Sequence, residues 1–225
     1  MSHQPGESAP QVGNRTDWPD LIENLPETAL EQSGMPETAY RSSSIVLREL
    51  TGIALLRIHS LQAFATLRDT MAACDILLPA EVNQSQGQDP AAICLAPGEW
   101  LLFSEYLGPG RLSAQVQPAV DLHHTAALDL TDGFAVFRLS GTGAPWLLSK
   151  LCALDFQRGA AAAHAARTQM QQAAVTLHYH RPGGLTTESV FDLIVDRSIA
   201  AYLWQILLAS IPHAEELEEQ FGAGP

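Results

Sequence analysis

Two stretches of the sequence repeat the same order of apolar strand, short turn and amphipathic helix. They read IALLRIHSLQAFATLRDTMAAC (53–74) and FAVFRLSGTGAPWLLSKLC (134–152). In each, short apolar runs of strand character are followed by apolar residues three or four apart, which is the spacing of a helix face. Further strands and a closing helix follow both stretches. This repetition predicts an α+β fold of two duplicated, ferredoxin-like β-α-β-β-α halves with a mixed, mostly antiparallel sheet.

Apolar periodicity and turn residues place the remaining elements. We predict strands over 45–50, 53–58, 91–96, 100–104, 126–129, 134–139 and 190–195, and one or two more within 167–180. We predict helices over 61–73, 110–117, 143–152 and 198–210.

Composition divides the chain into three parts. Residues 1–43 contain five prolines and little periodicity, which predicts a flexible acidic N-terminal arm with at most a short helix over 27–33, begun by Pro26. Residues 44–213 form the predicted domain, whose two intertwined halves cover about 44–120 and 121–213. Residues 214–225 are a predicted acidic C-terminal tail.

The acidic charge lies mainly at the two ends. The net charge is −13, of which residues 1–40 contribute −6 and four glutamates after residue 214 contribute −4. Acidic ends keep a protein soluble and repel phosphate groups. We therefore expect neither nucleic acid nor a membrane as a partner.

The cysteines and the first residues both bear on the compartment. Cys74, Cys94 and Cys152 are odd in number and far apart, which fits free thiols in a reducing compartment. The opening MSHQPGESAP lacks the basic and apolar regions of a signal peptide, and no apolar run is long enough to span a bilayer. We expect a cytoplasmic protein.

Four segments in order resemble the gamma subunit of heterotetrameric sarcosine oxidase. They are LAPGEWLLF (95–103), ALDLTDGFAVFRLSG (127–141), GAPWLLSKLCALDF (143–156) and VFDLIVDRSIAAYLWQIL (190–207). The resemblance covers about residues 44–210. The same segments are more distantly similar to the folate-binding aminomethyltransferases of the glycine cleavage system.

The resemblance implies a role in sarcosine catabolism and one-carbon metabolism. Complexes of this family demethylate sarcosine oxidatively to glycine, with hydrogen peroxide and with formaldehyde or methylenetetrahydrofolate as the other products. The implied partners are the alpha, beta and delta subunits, above all the large alpha subunit. FAD, FMN, NAD, tetrahydrofolate and zinc are expected on those subunits and none on this chain. The gamma subunit would contribute packing rather than an active site of its own.

The residues themselves give no strong catalytic, cofactor or metal signature. His178 and His180 have the spacing of two metal ligands on one strand face, but no H-E-x-x-H motif or cysteine pair supplies further ligands. His123 and His124 are adjacent, and no nucleophile motif accompanies Cys74. We therefore predict no catalytic, cofactor-binding or metal-binding residue.

Two carboxylate pairs are candidates for general acid–base chemistry. Asp129 with Asp132 lies in a predicted turn, where such side chains bond local backbone amides. Asp192 with Asp196 spans the end of a predicted strand. Either pair would need burial and a shifted pKa to act as an acid or base.

Two nucleotide- and folate-binding signatures are incomplete. The G-x-G of SGTGAPW has Trp146 where a dinucleotide site has its third glycine, so we predict a tight turn before a helix. The aminomethyltransferases carry a Gly-x-x-x-Asp-Asp hairpin, but the corresponding residues 167–181 read RTQMQQAAVTLHYHR, without glycine or carboxylate. Catalytic aminomethyl transfer is therefore not expected. A stand-alone folate-binding or one-carbon-transfer protein remains the alternative.

Overall fold

A computed structural model describes residues 28–34, 38–120, 124–156, 165–180 and 189–222. Eleven strands are present in these ranges. In chain order they are β1 (Ala39–Arg41), β2 (Val46–Leu50), β3 (Ala54–Ser60), β4 (Ser85–Gln86), β5 (Ala91–Ala96), β6 (Glu99–Ser104), β7 (Thr125–Asp129), β8 (Phe134–Ser140), β9 (Ala165–Met170), β10 (Ala173–His180) and β11 (Val190–Asp196).

The same ranges contain five α-helices and three short 3₁₀ turns. The α-helices are α1 (Ala29–Gln32), α2 (Phe64–Ala72), α3 (Pro109–Val116), α4 (Ala144–Leu151) and α5 (Ala200–Phe221). The 3₁₀ turns are Gln117–Ala119, Thr131–Gly133 and Arg197–Ile199. No helix among the described residues is long and apolar enough to cross a membrane.

The strands form two sheets in which every described ladder is antiparallel. The six-stranded sheet has the order β1-β2-β8-β11-β10-β9, and the five-stranded sheet has the order β4-β5-β6-β3-β7. The α+β fold class predicted from the repeated pattern is confirmed.

The two sheets pack face to face between two helical layers. One buried cluster joins the outer face of the six-stranded sheet to α4 and α5 around Trp204 and Phe137. A second joins the outer face of the five-stranded sheet to α2 and α3 around Trp100 and Leu67. A third lies between the sheets and includes Phe103. Because strand side chains alternate between faces, strands such as β6, β8 and β11 each supply two of these clusters.

The halves exchange strands. β2 comes from the first half but pairs with β8 in the sheet that the second half builds. Conversely, β7 begins the second half and pairs with β3 of the first half.

Part of the predicted N-terminal arm is packed on the domain. Helix α1 begins at Thr28, whose side chain accepts a hydrogen bond from the Glu31 backbone N–H, while Glu31 reaches back to Thr28. Glu49 accepts hydrogen bonds from the first two backbone N–H groups of α1, at 2.8 and 3.2 Å. Capping by Thr28 and Glu49 therefore fixes this helix, and β1 adds a strand to the sheet. Most of the remaining arm, including Pro26, lies outside the described residues.

The predicted acidic tail is helical as far as Phe221. The expected end of α5 at residue 210 is wrong, because the helix continues through Pro212. Proline removes one helical hydrogen bond, but Ile211 and Ala214 keep the apolar face of the helix buried on the core. Packing therefore outweighs the local cost of the proline.

Candidate functional site

Three charged or polar side chains lie in one row across the six-stranded sheet. On β11, Asp192 is paired in register with Arg138 of β8 on one side and with His178 of β10 on the other. Residues directly opposite each other in antiparallel strands place their side chains on the same face. This face is the one that packs against the five-stranded sheet, so the row lies between the sheets.

Arg138 and Asp192 form a buried, two-point ion pair. The Arg138 Nε and Nη2 donate to the two Asp192 carboxylate oxygens at 2.7 and 2.8 Å. Burial would raise the pKa of Asp192, but hydrogen bonds from Arg138 and His180 outweigh it and hold that pKa below its ordinary value. Burial would likewise lower the pKa of Arg138, but its two carboxylate partners raise it. Both groups are therefore charged at neutral pH.

Glu105 links this pair to the five-stranded sheet. It follows β6, and its carboxylate accepts hydrogen bonds from Arg138 Nη2 and Nη1 at 2.6 and 2.9 Å. The backbone N–H groups of Glu105 and Tyr106 donate to the Asp89 carboxylate at 3.0 and 3.1 Å. The guanidinium of Arg138 is thus held by one carboxylate from each sheet.

The two histidines of β10 complete the cluster. The Nε2 of His180 lies against Asp192 Oδ2, and the Nδ1 of His178 lies 4.0 Å from the same oxygen. The other nitrogen of His178, Nε2, is 3.2 Å from the hydroxyl of Ser85. A surface cavity of about 400 Å³ is lined by both histidines and by 85–88, the segment around β4.

This arrangement allows two kinds of chemistry. As an ion-pair cluster, it fixes the two sheets together at one end. As a donor set, it brings one ligand atom from each of His178, His180 and Asp192 within 4.8 Å of one another. Imidazole nitrogen and carboxylate oxygen are common ligands of divalent transition metals.

The structure brings together only some of the candidate residues from the sequence. His178 and His180 share one face, as their spacing predicted, and β11 supplies a third group. Asp192 and Asp196 do not form a pair. Residues four positions apart on a strand are separated by about 13 Å. Asp192 is buried, whereas Asp196 is exposed and caps the Arg197–Ile199 turn.

Asp129 has the predicted structural role in the turn. Asp129 Oδ1 accepts a hydrogen bond from the Thr131 backbone N–H at 3.0 Å. The Thr131 hydroxyl in turn accepts from Leu55 N–H at 3.1 Å, which joins the turn to β3. The turn is therefore held by local backbone bonds rather than aimed at a substrate.

The backbone at residues 44–45 packs directly against the Gly141–Gly143 turn that precedes α4. Gly141 has a φ of +112°, and a Cβ there would lie 2.1 Å from the Ser44 carbonyl oxygen. The Gly143 backbone N–H donates to the same oxygen at 3.1 Å. The glycines are required by the close approach of the 44–45 backbone, which occupies the place that a nucleotide phosphate would need.

The other candidate residues do not join the cluster. His123 lies outside the described residues, and His124 is exposed next to the start of β7. Cys94 and Cys152 are buried and Cys74 is half-buried. Burial raises the pKa of both Cys94 and Cys152, which makes them poor nucleophiles.

Sequence reasoning missed Arg138, Glu105 and Ser85. A signal for the first was present, because FAVFRLS and VFDLIV each contain one charge within an apolar strand. Two single, opposite charges in two buried strands indicate that the strands are neighbours and that the charges pair. No comparable signal marks Glu105 or Ser85, which lie in polar surroundings.

Comparison with solved structures places this architecture in a known class. The chain shares the fold of the glycine cleavage system aminomethyltransferase T from Bartonella henselae, with a TM-score of 0.51 and 15% identity over 73% of this chain. It spans less than half of that enzyme, 45% of its length. The aligned part of the chain therefore has the α+β fold of an aminomethyltransferase.

A second solved structure matches almost from end to end. It is a chain of the heterotetrameric sarcosine oxidase from Corynebacterium sp. U-96, solved in complex with pyrrole 2-carboxylate. The TM-score is 0.69 with 21% identity, over 90% of this chain and 99% of that chain. The resemblance predicted from the sequence is confirmed at the level of the fold. Neither the family models nor the curated proteins match the sequence.

Proposed function

We propose that this chain is the gamma subunit of a heterotetrameric sarcosine oxidase. The observation that carries the proposal is the end-to-end match, which uses 99% of a chain from such a complex. The complex would demethylate sarcosine oxidatively to glycine, with hydrogen peroxide and with formaldehyde or methylenetetrahydrofolate. This chain would serve assembly, with the alpha, beta and delta subunits as partners.

The site described above supports a structural rather than a catalytic role. Its central ion pair is bound within the protein, because both Asp192 oxygens accept hydrogen bonds from Arg138 and Arg138 is held by two carboxylates. A general acid or base needs a proton that it can exchange with substrate. The lowered pKa of Asp192 leaves it no proton to give as an acid at neutral pH, and the hydrogen bonds from Arg138 to both its oxygens make it a weak base.

Co-purification from the native host tests the proposal. An affinity-tagged copy of the chain, expressed at its native level, should retain a large flavoprotein through gel filtration. Mass spectrometry should identify three further subunits, and the complex should produce hydrogen peroxide from sarcosine. A chain that elutes alone, with no flavin absorbance, would contradict the proposal. A variant with the tag at the other terminus controls for a blocked interface.

A second candidate is a stand-alone folate-binding protein, which the shared fold with aminomethyltransferase T favours. The space between the two sheets gives a folate little room. The cavity between the sheets, lined by Arg57, Glu99 and Arg167 among others, measures about 50 Å³. Small-molecule sites usually measure about 300–1,000 Å³. Titration of the isolated chain with a reduced folate, followed by calorimetry, decides this candidate; saturable binding would support it.

A further inference from the structure

Three atoms that can bind a metal ion converge in the buried cluster, namely His178 Nδ1, His180 Nε2 and Asp192 Oδ2. His180 Nε2 lies against Asp192 Oδ2, and Arg138 Nη2 approaches the same nitrogen at 3.4 Å. A carboxylate oxygen only accepts, so without an ion His180 Nε2 carries the proton and donates it to Asp192. A metal ion would take the place of that proton, because histidine binds a metal ion through a deprotonated ring nitrogen.

The tautomer of His178 favours the metal ion. Its Nε2 lies at hydrogen-bond distance from the Ser85 hydroxyl, which can accept the Nε2 proton. With the proton on Nε2, the lone pair is on Nδ1, the nitrogen that lies 4.0 Å from Asp192 Oδ2. Metal-bound histidines usually donate their second nitrogen to such a partner, which fixes the ring.

The charges of the cluster also leave room for a cation. Arg138 carries one positive charge, and Asp192 and Glu105 carry one negative charge each, so the three together are negative. All three are largely buried or bound to one another. A cation next to the histidines would offset this excess where water screens it poorly.

A small transition metal ion fits between the three ligand atoms only once His180 has turned away from Asp192. Bonds of about 2.0–2.1 Å to nitrogen and oxygen set tetrahedral ligands about 3.4 Å apart. The distance from His178 Nδ1 to Asp192 Oδ2 is 4.0 Å, slightly wider than this value. The distance from His180 Nε2 to the same oxygen is narrower than this value. Binding therefore requires His180 to break its hydrogen bond to Asp192 and turn, at a position where its side chain is 30% exposed. The fourth position would face the cavity at 85–88.

We propose that His178, His180 and Asp192 bind a divalent transition metal ion, with zinc as the best fit, next to the Arg138 ion pair. This site departs from the expectation that zinc occurs only on other subunits. It also departs from the prediction of no metal-binding residue, which rested on the absence of a third and a fourth ligand; β11 supplies the third by its register with β10. Two imidazoles and one carboxylate favour zinc over magnesium or calcium, which prefer oxygen ligands.

Calorimetric titration of the chelator-treated, tag-free full chain with Zn²⁺ tests the proposal. We expect one ion per chain, and Co²⁺ in its place should give the strong visible bands of a tetrahedral site. His178→Gln and His180→Gln should each weaken binding at least tenfold. His213→Gln is the matched control, because His213 is exposed beside Glu216 on α5, away from the site.

Two results would overturn the site. The first is no stoichiometric binding by the wild-type chain. The second is binding that survives both site substitutions or that depends equally on His213. Circular dichroism shows whether each site variant folds. If one does not, nuclear magnetic resonance spectra of the wild-type chain loaded with Co²⁺ test the site instead. Exchangeable, paramagnetically shifted N–H signals from two imidazoles support the site, and their absence excludes it.

Discussion

Arg138 and Glu105 join the two sheets through a pair of hydrogen bonds. The first residue is on β8 of the six-stranded sheet, and the second follows β6 of the five-stranded sheet. Because Arg138 also holds Asp192, one side chain connects three segments of backbone. The cluster should therefore matter to stability whether or not a metal ion binds beside it.

Replacing Arg138 by alanine should lower the free energy of unfolding by about 3–5 kcal/mol. The change leaves Asp192 buried and charged without its partner, which costs far more than an exposed ion pair is worth. Arg68→Ala is the matched control, because Arg68 pairs with Asp69 on the surface and should cost about 1 kcal/mol or less. Urea unfolding of both variants measures the difference. Equal losses of unfolding free energy in the two variants would show that the buried Arg138–Asp192 pair stabilises the fold no more than the surface pair does.

Acid should destabilise the wild-type chain more steeply than an Asp192→Asn variant. The pKa of Asp192 is lower in the folded chain than its ordinary 3.8. Its charged form therefore stabilises the fold above about pH 4, and this contribution is lost as the pH falls through the folded value. Urea midpoints from pH 6 down to pH 2, measured with chelator present, give the two slopes. Parallel slopes would contradict this role of Asp192.

Trp100→Ala should destabilise the isolated chain more than Trp146→Ala. Trp100 is buried, stacks on Phe64 and donates its Nε1–H to the Pro79 carbonyl at 2.9 Å. Its loss should cost about 3–5 kcal/mol. Trp146 is half-buried against Phe221 at the end of α5, so its loss should cost about 1–2 kcal/mol. Melting temperatures of the two variants test the order, and a larger loss for Trp146 would reverse it.

Only one thiol should react quickly with a disulfide reagent at pH 8. Cys74 is half-buried, whereas Cys94 and Cys152 are buried and have raised pKa values, so they form little thiolate. All three should react in urea. Cys74→Ser should remove the fast phase, and a fast phase that survives this substitution would show that a core thiol is accessible.

If the chain is a subunit, Leu128→Glu should weaken assembly without lowering the melting temperature. Leu128 is 57% exposed on β7, the last strand of its sheet, and among the described strands β7 pairs only with β3. An unpaired sheet edge can pair with another chain, and an exposed leucine there would add apolar contact to such a pairing. Tyr202→Glu, on α5 beyond the other sheet, is the control. If Tyr202→Glu abolished assembly and Leu128→Glu did not, the interface would lie on the α5 side of the molecule instead.

The repeated pattern was enough to predict most strands and helices, because apolar periodicity is a local property. The strands predicted at 134–139 and 190–195 match β8 and β11 to within one residue. Misplaced ends have tertiary causes. Nothing near Pro212 in the sequence shows that α5 continues, since the core that holds Ile211 and Ala214 is built by distant strands.

The candidate site was less predictable because register decides it. His178 and Asp192 are recognisable separately, but only the pairing of β10 with β11 makes them neighbours. A shift of one residue would turn Asp192 to the opposite face of the sheet. The bond from Glu105 depends further on how one sheet lies on the other, which no local pattern encodes.

The exchange of strands between the halves has a consequence for synthesis on the ribosome. β2 has no sheet of its own, because its long-range partner β8 is translated only after the whole first half. The first half must therefore leave the ribosome with an incomplete fold, and its completion waits for distant contacts, which form slowly. A chain truncated after residue 120 should be retained by chaperones or aggregate, rather than accumulate as a folded fragment.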